Sequence, residues 1–369
     1  MRNKITIVCS DSKELYWKRI QLISFILAVF IMIRHNSSIA NYNAPFTSFI
    51  YYTFKCSITE IAVPLFFLIS GFNFFNNFSI SDQKRKFKNR IKSLLVPYLA
   101  WNTLYCIFCI IISNDFFSQF FIGREKFVIT PLNVIWGCIF HKNCNSHFWF
   151  VFELMVCVLI NPLVYYLLRK KSIGVVFLLT LYVSIMVFGL KLPEYFFYRT
   201  DSFLYYYFGA FLGLHFNKFF FADAKSRTIQ PKKASSGRAI CIDEMQMFAG
   251  LVCILSSLFL LIPTLHSGIK FFVIIISSYG MWSLSICCKY FKFRWVPQGG
   301  VIFLMYAAHG IIQPIVVKLL YLVLPKFSWM AAVNFFLTII ITVLVCVVVR
   351  YLTKRFIPPV DKVLTGWRR

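Results

Sequence analysis

The chain has 369 residues, of which 59% are hydrophobic and only 14% charged. A soluble globular chain carries about 45–50% apolar and about 25% charged residues, so an ordinary soluble enzyme is excluded, as is a disordered chain, which needs low hydrophobicity. The formal charge of +26 would suggest nucleic acid in a soluble protein, whereas in a membrane protein such an excess sits in cytoplasmic loops.

A bilayer-spanning helix needs about 20 mostly apolar residues. In chain order the apolar runs predict an all-α polytopic membrane protein with ten helices, near 18–38, 57–77, 93–113, 147–168, 172–190, 201–217, 245–263, 269–287, 298–320 and 329–350. The first run is apolar only over 20–33 and then meets Arg34-His35, so it spans only by continuing through Ala40. No small-residue cleavage site follows it, and it reads as an uncleaved span. With both termini placed in the cytoplasm, 29 of the 39 Lys and Arg fall in the inside segments, as the positive-inside rule requires. The basic charge is then mainly a topology signal; a lipid bilayer, and not nucleic acid, is the expected partner. The whole chain, 1–369, reads as one integral-membrane domain. Residues 218–244 form a cytoplasmic linker containing a Ser/Pro/Lys stretch. No internal repeat is visible, which weighs against transporters built from repeats.

Ionisable groups inside spans are costly and are functional candidates by default. His35 closes the first span, about 24 Å above Arg19 at 1.5 Å per residue. It can act as a general base at neutral pH or simply touch interfacial water. Glu60, one turn into the second span, can orient that imidazole or pair with Arg34. His309 lies near mid-membrane in the ninth span, and Glu153 one turn into the fourth; each is either a pocket group or a satisfied buried residue. In the second span, Pro64 and Ser70-Gly71 permit a local break lining a cavity or close packing through small residues. The loop that follows carries Lys84, Arg85, Lys86, Lys88, Arg90 and Lys92, a cluster suited to anionic lipid or to the phosphates of a cytosolic donor. His141, Cys144 and His147 have weak zinc-like spacing, and a Cys138–Cys144 disulfide is a further alternative. No metal site is assigned.

Together these segments resemble the membrane acyltransferase 3 family over roughly 18–350. The resemblance rests on His35 at the end of the first span and on Val-Pro-Leu-Phe-Phe-Leu-Ile-Ser-Gly-Phe (63–72). It also rests on the basic loop leading to Ser93-Leu-Leu-Val-Pro-Tyr, on His147-Phe-Trp-Phe with Asn161-Pro162, and on Phe303-Leu-Met-Tyr-Ala-Ala-His309-Gly. It implies O-acyl transfer from cytosolic acyl-CoA, most often acetyl-CoA used as a co-substrate with no permanently bound cofactor. The implied acceptor is a sugar hydroxyl of a surface polysaccharide or lipid-linked glycan such as O-antigen or capsule. The implied location is the bacterial cytoplasmic (inner) membrane, with a homo-oligomer open. By the same resemblance His35 is catalytic, Arg90 with Lys92 nearby contacts the donor, and Ser70, Gly71 and Phe72 carry the family's Ser-Gly-Phe motif. From the residues themselves, Glu60 is placed beside His35, Lys88, Arg85, Ser70 and Gly71 are added to the donor contacts, and Arg34, Phe72, Asn73, Trp149, Glu153 and His309 are expected to line the pocket. Two positions depart from the family pattern: Ser24 stands where an arginine is usual, and Arg90 is followed by Ser93 where a second arginine is usual. The alternative reading is a transporter or flippase for a lipid-linked sugar or small anion.

Overall fold

The computed structural model describes residues 2–38, 45–119, 126–140, 144–222, 236–289, 297–325, 327 and 329–368. The helices used below are α1 (Arg2–His35), α2 (Ala62–Phe75), α3 (Val96–Ser113), α4 (Trp149–Leu168), α5 (Lys171–Tyr182), α6 (Asp201–His215), α7 (Ser236–Leu255), α8 (Ser267–Leu284), α9 (Gly299–Val323), α10 (Met330–Phe356) and α11 (Pro358–Thr365). There is no strand among the described residues. His141 and residues 223–235 of the 218–244 linker lie outside the described residues.

Seven helical stretches are long and apolar enough to cross a membrane: Glu14–His35, Thr47–Phe75, Ile80–Ser113, Ser146–Leu168, Ser267–Cys288, Gly299–Val323 and Met330–Phe356. The chain is a multi-pass membrane protein. The remaining three expected spans have shorter apolar stretches: Lys171–Val187 and Met245–Leu261, the latter the last part of a helix that begins at Ser236, and α6 with 15 residues. At 1.5 Å per residue these stretches reach only about 22–26 Å, less than the roughly 30 Å of a hydrocarbon core.

α1 runs through the bundle and is fastened at its middle and at its C-terminal end. At its middle the buried Arg19 donates to the Trp282 carbonyl at 2.6 Å and to Ser285 Oγ at 2.9 Å, with its guanidinium 3.8 Å from the Trp282 ring. At its C-terminal end Gln313 of α9 donates to the Met32 carbonyl at 3.0 Å. Just past the helix, Asn36 donates to the Phe335 carbonyl of α10 at 3.1 Å. Basic residues in the last turn, Arg34 and His35, complement the negative end of the helix dipole.

α2 and α6 pack backbone against backbone. A Cβ on Gly71 would strike the Tyr206 carbonyl oxygen, and one on Gly209 would strike that of Leu68. The helix is continuous through Ser70-Gly71, and Pro64 sits in its first turn, where a missing N–H costs nothing. The small residues of this motif therefore serve helix packing rather than a break.

Two thiols that the sequence left open also find places. Cys138 and Cys144 are free cysteines, so the Cys138–Cys144 disulfide is absent. A Cβ on Gly137 would lie 3.0 Å from Cys144 Sγ and 3.1 Å from Cys106 Sγ, which sets Cys144 against α3.

Candidate active site

Three histidines from three distant segments meet beside the end of α1. His35 ends α1, His147 lies in the short turn Ser146–Phe148 that opens α4, and His309 lies in α9. Ring centroids are 4.3 Å apart for His35 and His147, 4.8 Å for His147 and His309, and 5.2 Å for His35 and His309. His35 is exposed, His147 half-buried and His309 fully buried, so the cluster leads from an open edge into the bundle.

The surrounding bonds fix the rings. His309 Nδ1 lies 2.6 Å from the Tyr306 carbonyl. A carbonyl only accepts, so Nδ1 carries the proton and Nε2 is the free lone pair of the neutral ring. That Nε2 is buried with no protein partner. Tyr306 donates its hydroxyl to the His147 carbonyl at 2.7 Å, and Asn145 donates to Asn102 at 3.1 Å just before it. Gly310 makes the room: a Cβ there would lie 2.6 Å from both the His147 ring and the Tyr105 hydroxyl. One imidazole nitrogen from each ring lies within 4.8 Å of the others. Such a set can pass a proton from ring to ring or hold a zinc-type ion. Among the described residues His147 thus groups with His35 and His309 and not with Cys144; His141, the other member of the sequence-local zinc reading, lies outside the described residues.

Glu60 does not orient His35. Its carboxylate is paired with Arg34, and its other oxygen is 3.9 Å from Arg199. Arg199 in turn holds Asp201 with two bonds, at 3.0 and 2.5 Å. Burial disfavours the Arg199 charge, but Asp201 and then Glu60 outweigh it and raise its pKa above the ordinary range. These groups line a polar cavity of about 660 Å³ together with Lys191, Lys270 and Tyr205. Glu153 is a clamp beside this cavity: it accepts from the Arg199 backbone at 2.8 Å and from Ser202 Oγ at 2.5 Å. Trp149 stands against Tyr198 with ring centroids 5.4 Å apart.

A second cavity, about 470 Å³, lies at the opposite end of α2 and is lined by Asn73, Phe74, Lys86, Asn89, Arg90, Lys92, Ser93, Gly366 and Trp367. It gathers Arg90, Lys92 and Asn73 from the expected set. Arg85 and Lys88 are exposed, and Arg85 is paired with Asp82 at 2.7 Å. Ile91–Leu95 is a π-helical turn, the kind of local widening often found at functional sites. Phe72 faces a third, apolar cavity of about 210 Å³ with Tyr16, Phe208 and Trp282. Tyr16 joins the two cavities by donating to Asn73 at 2.7 Å.

Sequence reasoning did not place Arg199, Asp201 or Trp367 in any site. Arg199 and Asp201 pair with each other two residues apart, but the groups that join them to a site, Glu153 and Glu60, are 46 or more residues away in the chain. No curated protein and no solved structure matches the chain. The family model described as an acyltransferase domain, Acyl_transf_3, matches residues 17–351, the span that carries all three histidines and both polar cavities apart from Gly366 and Trp367, and the chain belongs to that family.

Proposed function

We propose that the protein is a membrane O-acyltransferase that moves an acetyl or other short acyl group from cytosolic acyl-CoA to a sugar hydroxyl of a surface polysaccharide or lipid-linked glycan. The observation that carries this reading is the meeting of His35 with His147 and His309 at an edge that opens to solvent. In this reading α1 crosses the membrane with Arg19 on the cytoplasmic side, the three short helices complete ten crossings, and both termini face the cytoplasm of a bacterial inner membrane. The donor's phosphates sit in the basic cavity at Arg90 and its thioester reaches toward His35. The acceptor enters through the charged cavity at Arg34 and Glu60.

His35 accepts the proton of the acceptor hydroxyl, and the oxygen attacks the thioester carbonyl carbon. The C–S bond breaks as the ester C–O bond forms, and the imidazolium returns its proton to the leaving thiolate. His147 and the lone pair of His309 Nε2 steady the charged ring while the bundle excludes water. The test compares cells carrying wild type and His35→Ala, with the surface glycan weighed by mass spectrometry. The wild type is expected to add one acyl mass that the variant lacks, at equal membrane insertion. Wild-type acylation by His35→Ala would refute the assignment. Release of free CoA thiol in proteoliposomes separates the enzyme from a transporter or flippase.

A further inference from the structure

Gly366 and Trp367 lie beyond the family match, which ends at residue 351, yet they form a wall of the basic cavity. They are held there firmly. Arg350 near the end of α10 pairs with Asp361 of α11 at 2.6 Å, with both side chains under a tenth exposed. Arg350 also donates to the Arg368 carbonyl at 3.1 Å. Trp101 of α3 donates to the Leu364 carbonyl at 2.9 Å. The chain then turns at Gly366 with φ +62°, close enough to Ser93 that a Cβ would sit 2.6 Å from the Ser93 carbonyl oxygen.

This turn folds the Arg368 guanidinium back over Gly366, where a Cβ would lie 2.5 Å from Arg368 Nη1, on the wall of the cavity that Arg90 lines. Arg368 donates one bond, to the Thr365 carbonyl at 2.9 Å, and rests 4.0 Å from the Phe303 ring. Arg90 rests on Phe74 at 5.9 Å. Nearby acids are already engaged: Asp82 by Arg85 and Asp361 by Arg350. Among the described residues no carboxylate pairs with Arg90, Lys92 or Arg368. Burial, and then the charge of Arg90, push the Arg368 pKa down to about 9. Arg90 lines the cavity and the Arg368 guanidinium is folded against its Gly366 wall; two half-buried guanidiniums so placed, with most donors unused, are arranged for an anion that both can grip. Planar forked donors suit phosphate oxygens in particular.

We propose that Arg368 is the second guanidinium of a phosphate-binding site shared with Arg90, with Gly366 and Trp367 as its wall. Resting on the function proposed above, the ligand is the phosphate or diphosphate of the nucleotide-bearing donor. The segment after α10 is then part of the donor site rather than a trailing end.

The test uses the purified full-length protein in lipid nanodiscs and reads equilibrium binding, so that it does not depend on acyl transfer. Coenzyme A is titrated into wild type, Arg368→Ala, Arg368→Lys and Arg90→Gln at two ionic strengths, with thermal unfolding recorded for each. Arg368→Ala is expected to weaken binding about tenfold or more, as loss of a charge-assisted hydrogen bond does. Arg368→Lys recovers part of the loss, and raised salt narrows the difference. Equal coenzyme A affinity in folded Arg368→Ala and wild type overturns the proposal. Parallel titrations use inorganic pyrophosphate, and nanodiscs of phosphatidylglycerol against phosphatidylcholine. Arg368-dependent binding of pyrophosphate or phosphatidylglycerol without binding of coenzyme A keeps the phosphate site and refutes the donor reading. Coenzyme A binding that depends on Arg368 in a protein that transfers no acyl group keeps the site and refutes the enzyme.

Discussion

The two polar cavities differ in how their charges are balanced. At the His35 end, Arg34, Glu60, Arg199 and Asp201 form a chain of alternating sign, and Glu153 braces the backbone beneath it. At the Arg90 end, Arg90, Lys86 and Lys92 face the cavity and the acids have gone to other partners. A compensated cluster is a structural device, since removing one member strands another in a poorly solvated site. An uncompensated cluster costs stability in the free protein and is retained for what it binds.

Substitutions can break or sharpen that contrast. The largest effect is expected at the most deeply buried ion pair among the described residues, Arg350–Asp361, which supports the Arg90 end from behind. Arg350→Met strands Asp361 and should cost about 3–5 kcal/mol, read as a large fall in the thermal midpoint together with loss of coenzyme A binding. At the His35 end, Glu60→Gln leaves Arg34 and Arg199 facing one another. Both cations are partly solvated, so the loss should be about 1 kcal/mol or less, and it should shrink in high salt. Arg90→Gln goes the other way: with no ligand present it should leave the thermal midpoint unchanged or raise it, while weakening coenzyme A binding. A clear fall in the midpoint would place Arg90 among the compensated charges. Arg85→Ala, at an exposed ion pair, should stay within about 0.5 kcal/mol and leave binding untouched.

Much of the fold was legible because hydrophobic periodicity and charge are one-dimensional signals. The seven long helices coincide with charge-poor runs, and the basic loop segments with the ends between them. The site was legible only in part. His35, His309 and the Arg34–Glu60 pair stood out as ionisable groups in apolar surroundings. Glu153 stood out for the same reason but is a clamp for the Arg199 backbone. Arg199 was hidden because it lies outside the apolar runs, where charge is unremarked. His147 was visible, but its spacing to Cys144 pointed along the chain while its true neighbours, His35 and His309, come from 112 and 162 residues away. Arg368 counted only as one more basic residue on the expected cytoplasmic side. A linear reading assigns a charge to a side of the membrane but not to a cavity, and it cannot tell a cation with a partner from one without.

Arg34 and His35 are consecutive residues at the tip of one helix, about 100° apart around its axis at 3.6 residues per turn. One reaches the charged cavity and the other the histidine cluster. The charged cavity and the histidine cluster are thereby joined across a single peptide bond at one helix tip.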